Sequence, residues 1–568
     1  MQNHLFKSRW FCFEVPDDPA QSDKEGDDMN HTAKVLCLFL CGMLLMPCFP
    51  TEARAETEVM PEPALYGEEN MSFLYVETDG DDASGDGTAE RPFQTVCAAA
   101  AASRPGDTIR VGEGTYIFDT SVDLPVGVSL EGAGDGTVFT SVLLTDTTIG
   151  GNAALIRLHS EDGNKEYGNQ HISHIKFDGR QTAAWAINIK NRHNVSVHDC
   201  TIIDFIDTGV GWHAGDIGAL GDDGEKIDVS AVPGTFVKGG RFYNNYLKDN
   251  TRFADGWGRG SLFLCGLEDF LVSGNTIIED VRTSPDGTRG VPLKVWYYSG
   301  WIRNVKITDN VIRRLGSASF SSDFVSGWDF AIEIAAPYTG LEIGGNEFTG
   351  SIDLNHGVSQ MGGVTYDYSV WIHDNIITAD PDPKTDTDGT VFYNEEYAFT
   401  LERISQKAVI ENNTVTDYNT ALYINAREEV SNLVFRGNIC TSLGGQNGSM
   451  LRLDGLQSHN FANHITVENL TIQGNVLSSV TGGGASGFGI ILGQNVYCPW
   501  SGRNILIADN IIEGCLFNWF AVGSNPESIE NLTLMNNTVN CDSGDILMPR
   551  QGVTGFEESG NRFGADAG

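Results

Sequence analysis

The most regular feature of the chain is a short unit in which apolar and polar residues alternate and an asparagine follows. The unit has the pattern apolar-x-apolar-x-x-Asn-x-apolar, as in FLVSGNTI at Asn275, VKITDNVI at Asn310 and VWIHDNII at Asn375. Alternation with a period of two predicts a β-strand with one apolar face, and the asparagine predicts a tight turn in the left-handed conformation. The unit recurs at Asn346, Asn413, Asn438, Asn475, Asn510 and Asn537, with looser copies at Ile202 and Asn245.

A second alternating strand precedes each unit by a short turn. Examples are AINI (186–189), PLKV (292–295), AIEI (331–334) and SIDL (351–354). Successive asparagines are unevenly spaced, from 438−413=25 to 413−375=38 residues, which excludes repeats of fixed period. The pattern predicts an all-β parallel solenoid with three short strands per coil, in which the asparagine lies between the second and third strands. Stacked asparagine amides can hydrogen-bond from coil to coil.

The start of the chain carries further evidence for this fold. It contains FLYVETDGDDASGDGTAERPFQTV (73–96), GDTIRVGEGTY (106–116) and VSLEGAGDGT (128–137). With these segments and the asparagine turns, residues 71–565 resemble the pectin-lyase-like superfamily of secreted right-handed parallel β-helix proteins. The resemblance implies a right-handed coil and a carbohydrate-active protein that holds its substrate on the outer face of the first strand. It does not imply one reaction, because this fold hosts lyases, hydrolases, epimerases and adhesins.

The N-terminal residues indicate export. Residues 29–55 have the pattern of a signal peptide, with an apolar stretch over residues 35–49 and a cleavage site near Ala55. We therefore expect residues 1–28 to be a misassigned start, residues 56–70 to be a linker, and the mature protein to be secreted or periplasmic. The apolar stretch is too short to span a membrane stably.

Charge limits the partners of the protein. Its 76 acidic and 36 basic residues leave a net charge of −40, which disfavours nucleic acid because phosphate backbones bind basic surfaces. We expect a monomer that binds a polysaccharide or oligosaccharide. An acidic sugar polymer would need a bridging cation such as Ca²⁺.

Aligning the coils on their asparagines predicts which outward residues of the first strand stack on one another. The predicted row is Asn188, Gly211 or His213, Phe263, Lys294, Glu333, Asp353, Thr400, Tyr423 and Arg452. Neighbouring coils lie about 4.8 Å apart, so Lys294, Glu333 and Asp353 should occupy three successive rungs and face solvent.

The surroundings of these three residues suit a sugar-binding site. Long connections are expected at 276–290, 311–328 and 376–396, and long loops on a rigid scaffold often carry function. Nearby aromatic residues are expected to stack on sugars: Trp296, Tyr298, Trp301 and Trp328. Further substrate contacts are expected from Asp329, His356, Glu402 and Arg452.

These residues admit two kinds of chemistry. In a glycoside hydrolase, which needs no cofactor, Lys294 would lower the pKa of Glu333, so that Glu333 acts ionised and Asp353 is the acid. In a polysaccharide lyase or uronate epimerase, Lys294 would be the base, and Glu333 and Asp353 would hold Ca²⁺.

Two non-catalytic alternatives also stand. Lys294 and Glu333 could form a surface ion pair of little energetic value, and the protein could be a β-helix adhesin or surface protein. Irregular coils with long loops on one side favour an enzyme, and we expect a glycoside hydrolase slightly before a lyase.

Overall fold

A computed structural model of the chain describes the protein from residue 72 onwards, with gaps. The described residues are 72–161, 163–215, 217, 228–251, 260–283, 290–295, 300–316, 330–380, 384–385, 391–392, 395–443, 449–455, 464–479, 488–493, 499–515, 518–523, 526–541, 543–547 and 552–564. They all belong to one compact unit, residues 63–568. The predicted start, signal peptide and linker lie outside them.

The chain forms a right-handed parallel β-helix, as predicted. Each full coil contributes a strand to each of three sheets, and every strand of these sheets pairs in parallel with the equivalent strand of the next coil. We name the sheets in the order in which a coil passes through them. The first sheet contains Val122–Asp123, Ala154–His159, Trp185–Lys190, Thr208–His213, Gly260–Cys265, Val291–Val295, Phe330–Ile334, Ser351–Gly357, Glu395–Gln406, Tyr418–Arg436, Ser449–Gly455, Phe488–Leu492, Asn518–Val522 and Ser543–Leu547.

The second sheet contains the strands that precede the asparagine turns. Its members are Phe73–Val76, Thr108–Val111, Ser129–Thr140, Glu166–Asp178, Arg192–His198, Val237–Lys238, Arg241–Tyr243, Leu267–Ser273, Ile302–Thr308, Tyr338–Thr339, Leu341–Gly344, Val370–His373, Ala408–Glu411, Ile465–Gln473, Trp500–Ala508, Pro526–Met535, Val553–Thr554 and Glu557–Ser559. The last part of Tyr418–Arg436 continues from the first sheet into this one.

The third sheet follows the asparagine turns. Its members are Gly114–Ile117, Thr201–Ile203, Tyr246–Lys248, Thr276–Asp280, Val311–Leu315, Glu347–Thr349, Ile376–Thr378, Thr414–Thr416, Ile439–Leu443, Val476–Ser479, Ile511–Glu513, Thr538–Asn540 and Arg562–Phe563. The ends of Ser129–Thr140 and Glu166–Asp178 join this sheet. Two short hairpins, Gln360–Met361 with Val364–Thr365 and Lys384–Thr385 with Val391–Phe392, lie outside the three sheets.

The core fills the inside of the coil. Apolar side chains of equivalent strands lie on top of one another and are fully buried. In the first sheet this interior column is Ile187, Val210, Leu262, Leu293, Ile332, Ile352, Phe399, Leu422, Leu451, Ile490 and Phe520. Each inward residue therefore meets an apolar neighbour above and below, and the alternate residues must point outwards.

Helical structure is sparse among the described residues. One α-helix, Val96–Ala102, begins after Thr95 and buries Val96 and Ala99 against the first coils. Two 3₁₀ segments are Thr147–Ala153 and Val281–Thr283. Within the described part of the chain, no helix has the length and hydropathy needed to cross a membrane.

A continuous ladder of asparagines, buried except for the half-buried Asn561 at its end, joins the coils at the turn between the second and third sheets. Asn346 is typical, because its backbone N–H and its Nδ2 donate to Asn375 Oδ1 at 2.9 and 3.0 Å. Its own Oδ1 accepts the same two bonds from Asn310, both at 2.9 Å. The ladder runs through Asn245, Asn275, Asn310, Asn346, Asn375, Asn413, Asn438, Asn475, Asn510, Asn537 and Asn561.

The predicted backbone conformation of these asparagines is wrong in one respect. The left-handed residue is the one before the ladder asparagine, as at Asp309 (φ 58°) and Gly345 (φ 66°). This position holds Gly, Asp or Asn, the residues that tolerate positive φ best. The preceding residue therefore makes the turn, and the asparagine is required for its amide.

The predicted long connections also begin later than expected. Residues 276–280, 311–315 and 376–378 are strands of the third sheet. The connections to the first sheet start only after these strands, since the third strand of each coil follows the asparagine directly.

Removing one rung of the ladder should destabilise the protein markedly. In Asn346→Ala, the buried N–H and Nδ2 of Asn310 lose their acceptor, and each unsatisfied buried group costs about 1–3 kcal/mol. We expect a clear loss in the midpoint of guanidinium unfolding. The control is Asn504→Gly, which removes an exposed amide of a second ladder, where Asn504 Nδ2 donates to Asn469 Oδ1 at 2.9 Å. Equal losses in both variants would contradict a special role for the buried ladder.

Candidate active site

The outward row of the first sheet has the predicted register. Lys294 is the partner of Glu333, and Glu333 is the partner of Asp353. The row continues in one direction through Thr400, Tyr423 and Arg452, and in the other through Phe263, Gly211 and Asn188. The predicted stacking of the row is therefore confirmed. Gly211, and not His213, occupies the central position of its rung.

The solvent exposure predicted for Lys294, Glu333 and Asp353 is wrong, because all three side chains are buried. Lys294 is 1% exposed and Glu333 is 6% exposed, and Lys294 Nζ donates to Glu333 Oε2. The pair is thus a buried ion pair and not a surface one. Breaking a buried pair costs far more than breaking an exposed one, because it leaves an uncompensated charge.

The pKa of Glu333 also differs from the prediction. Burial raises the pKa of Glu333 above its ordinary value, Lys294 counteracts this, and Glu402 adds to the rise. Lys294 pulls in the predicted direction, but desolvation of the carboxylate is the larger influence.

Asp353 is the most perturbed carboxyl group of the row. It is 3% exposed, its Oδ1 has no hydrogen-bond partner, and its Oδ2 lies 3.4 Å from Asn355 Nδ2. Burial raises the pKa of Asp353 well above its ordinary value, and the neighbouring carboxylates Glu402 and Glu333 raise it further, in that order. Nearby cations offset this only in part. The surroundings therefore favour the protonated acid.

A second outward column lies two residues further along the same strands. Asn355 is the partner of Glu402, and Glu402 is the partner of Asn425. Asn425 Nδ2 donates to Glu402 Oε1 at 3.0 Å. Glu402 is half-buried, whereas Asn355 and Asn425 are buried. Glu402 thus lies diagonally across from Asp353, on the opposite side from Glu333.

The backbone beside this column has an unusual conformation. His356 (φ 64°) and Arg403 (φ 65°) are left-handed although neither is Gly, Asn or Asp, and the strand register shifts next to each of them. Left-handed residues of this kind cost free energy and are concentrated at functional sites. His356 is 4% exposed, so it lies under the surface near the end of Ser351–Gly357, the strand that carries Asp353.

Two tyrosines and an arginine continue the surface beyond Asp353. The rings of Tyr397 and Tyr423 stack with centroids 4.0 Å apart and an interplanar angle of 9°. The Arg452 guanidinium lies 5.4 Å from the centroid of the Tyr423 ring. Arg452 is therefore part of the same outward face, as predicted, and packs on an aromatic ring.

The predicted sugar-stacking aromatics lie elsewhere or outside the described residues. Trp301 is 2% exposed and belongs to the interior core, so its prediction as a sugar-stacking residue is wrong. It directly precedes a strand of the second sheet, and its ring joins the core as the chain turns inwards. Trp296, Tyr298, Trp328 and Asp329 lie outside the described residues.

Several residues of the site lie outside the central row that the sequence predicts. Asn355 and Asn425 could have been found by aligning the residues two positions after the central row, because side chains two apart share a face. Tyr397 gave no such signal, because alternation along its strand predicts that it shares the inward face of Phe399.

Among the described residues, no group of three or more His, Cys, Asp and Glu side chains is arranged to hold a metal ion. One oxygen of the Glu333 carboxylate, Oε2, accepts a hydrogen bond from Lys294.

Comparisons with known proteins gave one family match and several similar solved structures. The sequence profile of a family described as "Protein of unknown function (DUF1565)" matches residues 78–211. No curated protein matches the chain.

Three solved structures illustrate the similarity. The Agl-KA catalytic domain is 14% identical with a TM-score of 0.43, over 70% of this chain and 64% of that chain. A tailspike protein of E. coli bacteriophage HK620 in complex with a pentasaccharide is 11% identical with a TM-score of 0.45, over 80% and 71% of the two chains. The surface adhesin PfbA of Streptococcus pneumoniae is 13% identical with a TM-score of 0.37, over 82% and 87%. The chain spans less than two thirds of the first of these proteins.

The raised pKa of Asp353 predicts how stability depends on pH. Below about pH 4, the ordinary range of an aspartate, the folded and unfolded chains both hold the proton. As pH rises, the unfolded chain releases it first, so the contribution of Asp353 to stability is lost as pH approaches its raised pKa. Asp353→Asn removes this dependence and should melt above the wild type at about pH 8, with a difference that shrinks towards about pH 4.

The control for this experiment is Glu530→Gln, which neutralises an exposed carboxylate. It should leave the pH profile of the melting temperature unchanged. A difference between Asp353→Asn and the wild type that stays constant with pH would contradict the assignment.

Proposed function

We propose that the protein is a glycoside hydrolase that cleaves a polysaccharide on the outer face of the first sheet, with Asp353 as the general acid. The observation that carries the proposal is the buried Asp353 carboxyl, which has one oxygen without a hydrogen-bond partner and lies between two other carboxyl groups. A carboxylic acid kept protonated near neutral pH can donate its proton to a glycosidic oxygen.

We assign the general base to Glu402. One rung of about 4.8 Å and two residues of about 3.3 Å each along the strand put the Cα atoms of Asp353 and Glu402 about 8 Å apart. This suits the roughly 6.5–9.5 Å between carboxyl groups that leaves room for a water molecule in an inverting hydrolase. Glu333 lies only one rung from Asp353 and is bonded to Lys294, so it is less suited to activate water.

The steps follow from these positions. Asp353 protonates the leaving glycosidic oxygen while Glu402 takes a proton from the water that attacks the anomeric carbon. Asn425 orients the Glu402 carboxylate through its 3.0 Å hydrogen bond. The Lys294–Glu333 pair is nearly neutral as a unit, so it fills the neighbouring rung without stabilising the ionised form of Asp353 as strongly as a free lysine would.

The alternatives fit the same residues less well. A lyase or epimerase needs Lys294 Nζ as a base, but this nitrogen already donates a hydrogen bond to Glu333 Oε2. A Ca²⁺ site would need Glu333 and Asp353 as shared ligands, and Glu333 is engaged by Lys294. A purely adhesive surface gains nothing from a buried carboxyl with an unsatisfied oxygen, which costs free energy.

We further propose that the enzyme acts outside the cytoplasm after removal of residues 29–55. This rests on the signal-peptide pattern alone. Its polysaccharide substrate would then lie outside the cytoplasm, either free in solution or attached to a surface.

Activity assays test the reaction type. Purified protein is incubated with polygalacturonate, alginate, xylan, mixed-linkage β-glucan and dextran, and new reducing ends and ultraviolet absorbance are followed. We expect new reducing ends on one of these polymers without the absorbance of an unsaturated sugar. In Asp353→Asn and Glu402→Gln, kcat should fall by at least about 10²-fold, whereas Glu530→Gln should match the wild type. Formation of unsaturated product, or full activity in both site variants, would overturn the proposal.

The stereochemistry of the product tests the choice of base. Glu402 lies one rung and two residues from Asp353, which leaves room for a water molecule between the two carboxyl groups. The first product should therefore have the inverted anomeric configuration, observed by proton NMR before mutarotation. Retention of configuration would assign the second role to Glu333 as a nucleophile, and would contradict the role given to Glu402.

A further inference from the structure

Two cysteines lie in equivalent turns of successive coils. Cys515 comes shortly after the third-sheet strand Ile511–Glu513. Cys541 comes directly after the equivalent strand of the next coil, Thr538–Asn540. The two strands pair in parallel, and the N–H of Gly514 donates to the carbonyl at the end of the second strand at 2.9 Å. The turns that carry the cysteines are therefore neighbours in the stack, although 541−515=26 residues separate them.

The two thiols meet between these turns. A side-chain hydrogen bond joins Cys515 to Cys541. Cys541 Sγ also donates to the carbonyl oxygen of Ile512 in the preceding coil at 3.8 Å. Cys515 Sγ packs closely on Gly489, where a Cβ atom would lie 3.2 Å from the sulfur. Hydrogen bonding and packing thus hold both sulfur atoms in place next to each other.

The register of the strands suits a covalent bond between the two side chains. Glu513 is the partner of Asn540, so Gly514 is opposite Cys541 and Cys515 is offset from it by one residue. One rung of about 4.8 Å and one residue of about 3.3 Å put the Cα atoms of the cysteines about 6 Å apart. Disulfide bonds join residues whose Cα atoms are about 4.4–6.8 Å apart, so the pair needs no large backbone movement.

The two thiols differ in their access to solvent. Cys515 is 1% exposed, whereas Cys541 is half-buried. The hydrogen bond to Cys541 and, after it, burial raise the pKa of the Cys515 thiol. Because the thiolate is the reactive form, a reagent in solution should react with Cys541 first.

The coil that starts after Cys541 is held on one side only by the described residues. Its strands Ser543–Leu547, Glu557–Ser559 and Arg562–Phe563 pair with the preceding coil, and no other described strand pairs with them. Most of residues 552–564 are exposed. Strands with few buried contacts and one paired edge open more readily than strands inside a stack, so this coil would gain most from a covalent link.

We propose that Cys515 and Cys541 form a disulfide bond that fastens the coil after Cys541 to the coil before it. The oxidant is a small disulfide such as oxidised glutathione. The Cys541 thiolate attacks one sulfur of glutathione disulfide and releases one glutathione thiolate. Cys515 then loses its proton to solvent, attacks Cys541 Sγ and releases the second glutathione thiolate. Two protein thiols are thereby oxidised to one disulfide, and one glutathione disulfide is reduced to two thiols. The inference goes beyond the proposed hydrolase function and does not depend on it.

Peptide mapping tests the pairing directly. The purified, folded protein is reduced, incubated with oxidised glutathione, treated with iodoacetamide during unfolding, digested and analysed by mass spectrometry. We expect Cys515 and Cys541 in one cross-linked pair of peptides, whose mass is that of the two peptides less two hydrogen atoms, and Cys440 in alkylated form. Alkylation of both cysteines, a glutathione adduct that persists on Cys541, or a bond from either of them to another cysteine would overturn the proposal.

Melting temperatures test whether the bond fastens the coil. The oxidised wild type should melt several degrees above its reduced form, because the bond restricts the unfolded chain. Cys515→Ala and Cys541→Ala should each abolish this difference, so one remains informative if the other fails to fold.

The control is Cys440→Ala, which removes a buried thiol of the third sheet whose strand partners are Val415 and Leu477. It should lower the melting temperature equally under oxidising and reducing conditions, and so keep the difference between them. No difference in the wild type, or a difference that survives in a folded Cys515→Ala or Cys541→Ala variant, would contradict the fastening role.

Discussion

The hydrogen bond from one ladder asparagine to the next determines the rest of this structure. Each amide fixes its coil against the following coil at two atoms, and the bonds are buried, so water does not compete for them. Because the turn is fixed in every coil, the length of the connections can vary without changing the register of the strands. A chain with irregular repeats thus folds into a regular stack, and its functional residues align although they are far apart in sequence.

The rigid stack of coils allows the proposed active site to contain groups that lower the stability of the fold. A carboxyl oxygen without a partner and a buried lysine–glutamate pair both lower stability relative to apolar residues. The site tolerates them because the strands on which they lie are held from both sides by parallel pairing and by a fully apolar interior column. The left-handed His356 and Arg403 add local strain at the same place. Residues in strained conformations are common at functional sites.

Much of this arrangement could be predicted from the sequence, and the reasons are physical. A period of two and an asparagine in each unit are local signals, and together they were sufficient for the fold and for the adjacency of Lys294, Glu333 and Asp353. Burial of these residues was not predictable, because exposure depends on what packs over a strand and not on its pattern. The predicted direction of the Glu333 pKa shift was wrong for the same reason. Two tryptophans show a second limit, because residues at or next to a strand end escape the alternation rule. Trp185 covers Gly211 on the outer face of the first sheet, whereas Trp301 joins the interior core.

The proposed role of Asp353 as general acid requires a protonated carboxyl group at neutral pH, which burial and two neighbouring carboxyl groups favour by raising the pKa of Asp353. Infrared difference spectroscopy of the wild type against Asp353→Asn at neutral pH tests it directly. We predict a carbonyl stretch of a protonated carboxylic acid in the wild type that is absent in the variant and disappears as the pH is raised. A difference spectrum at neutral pH that contains only carboxylate bands would contradict the account.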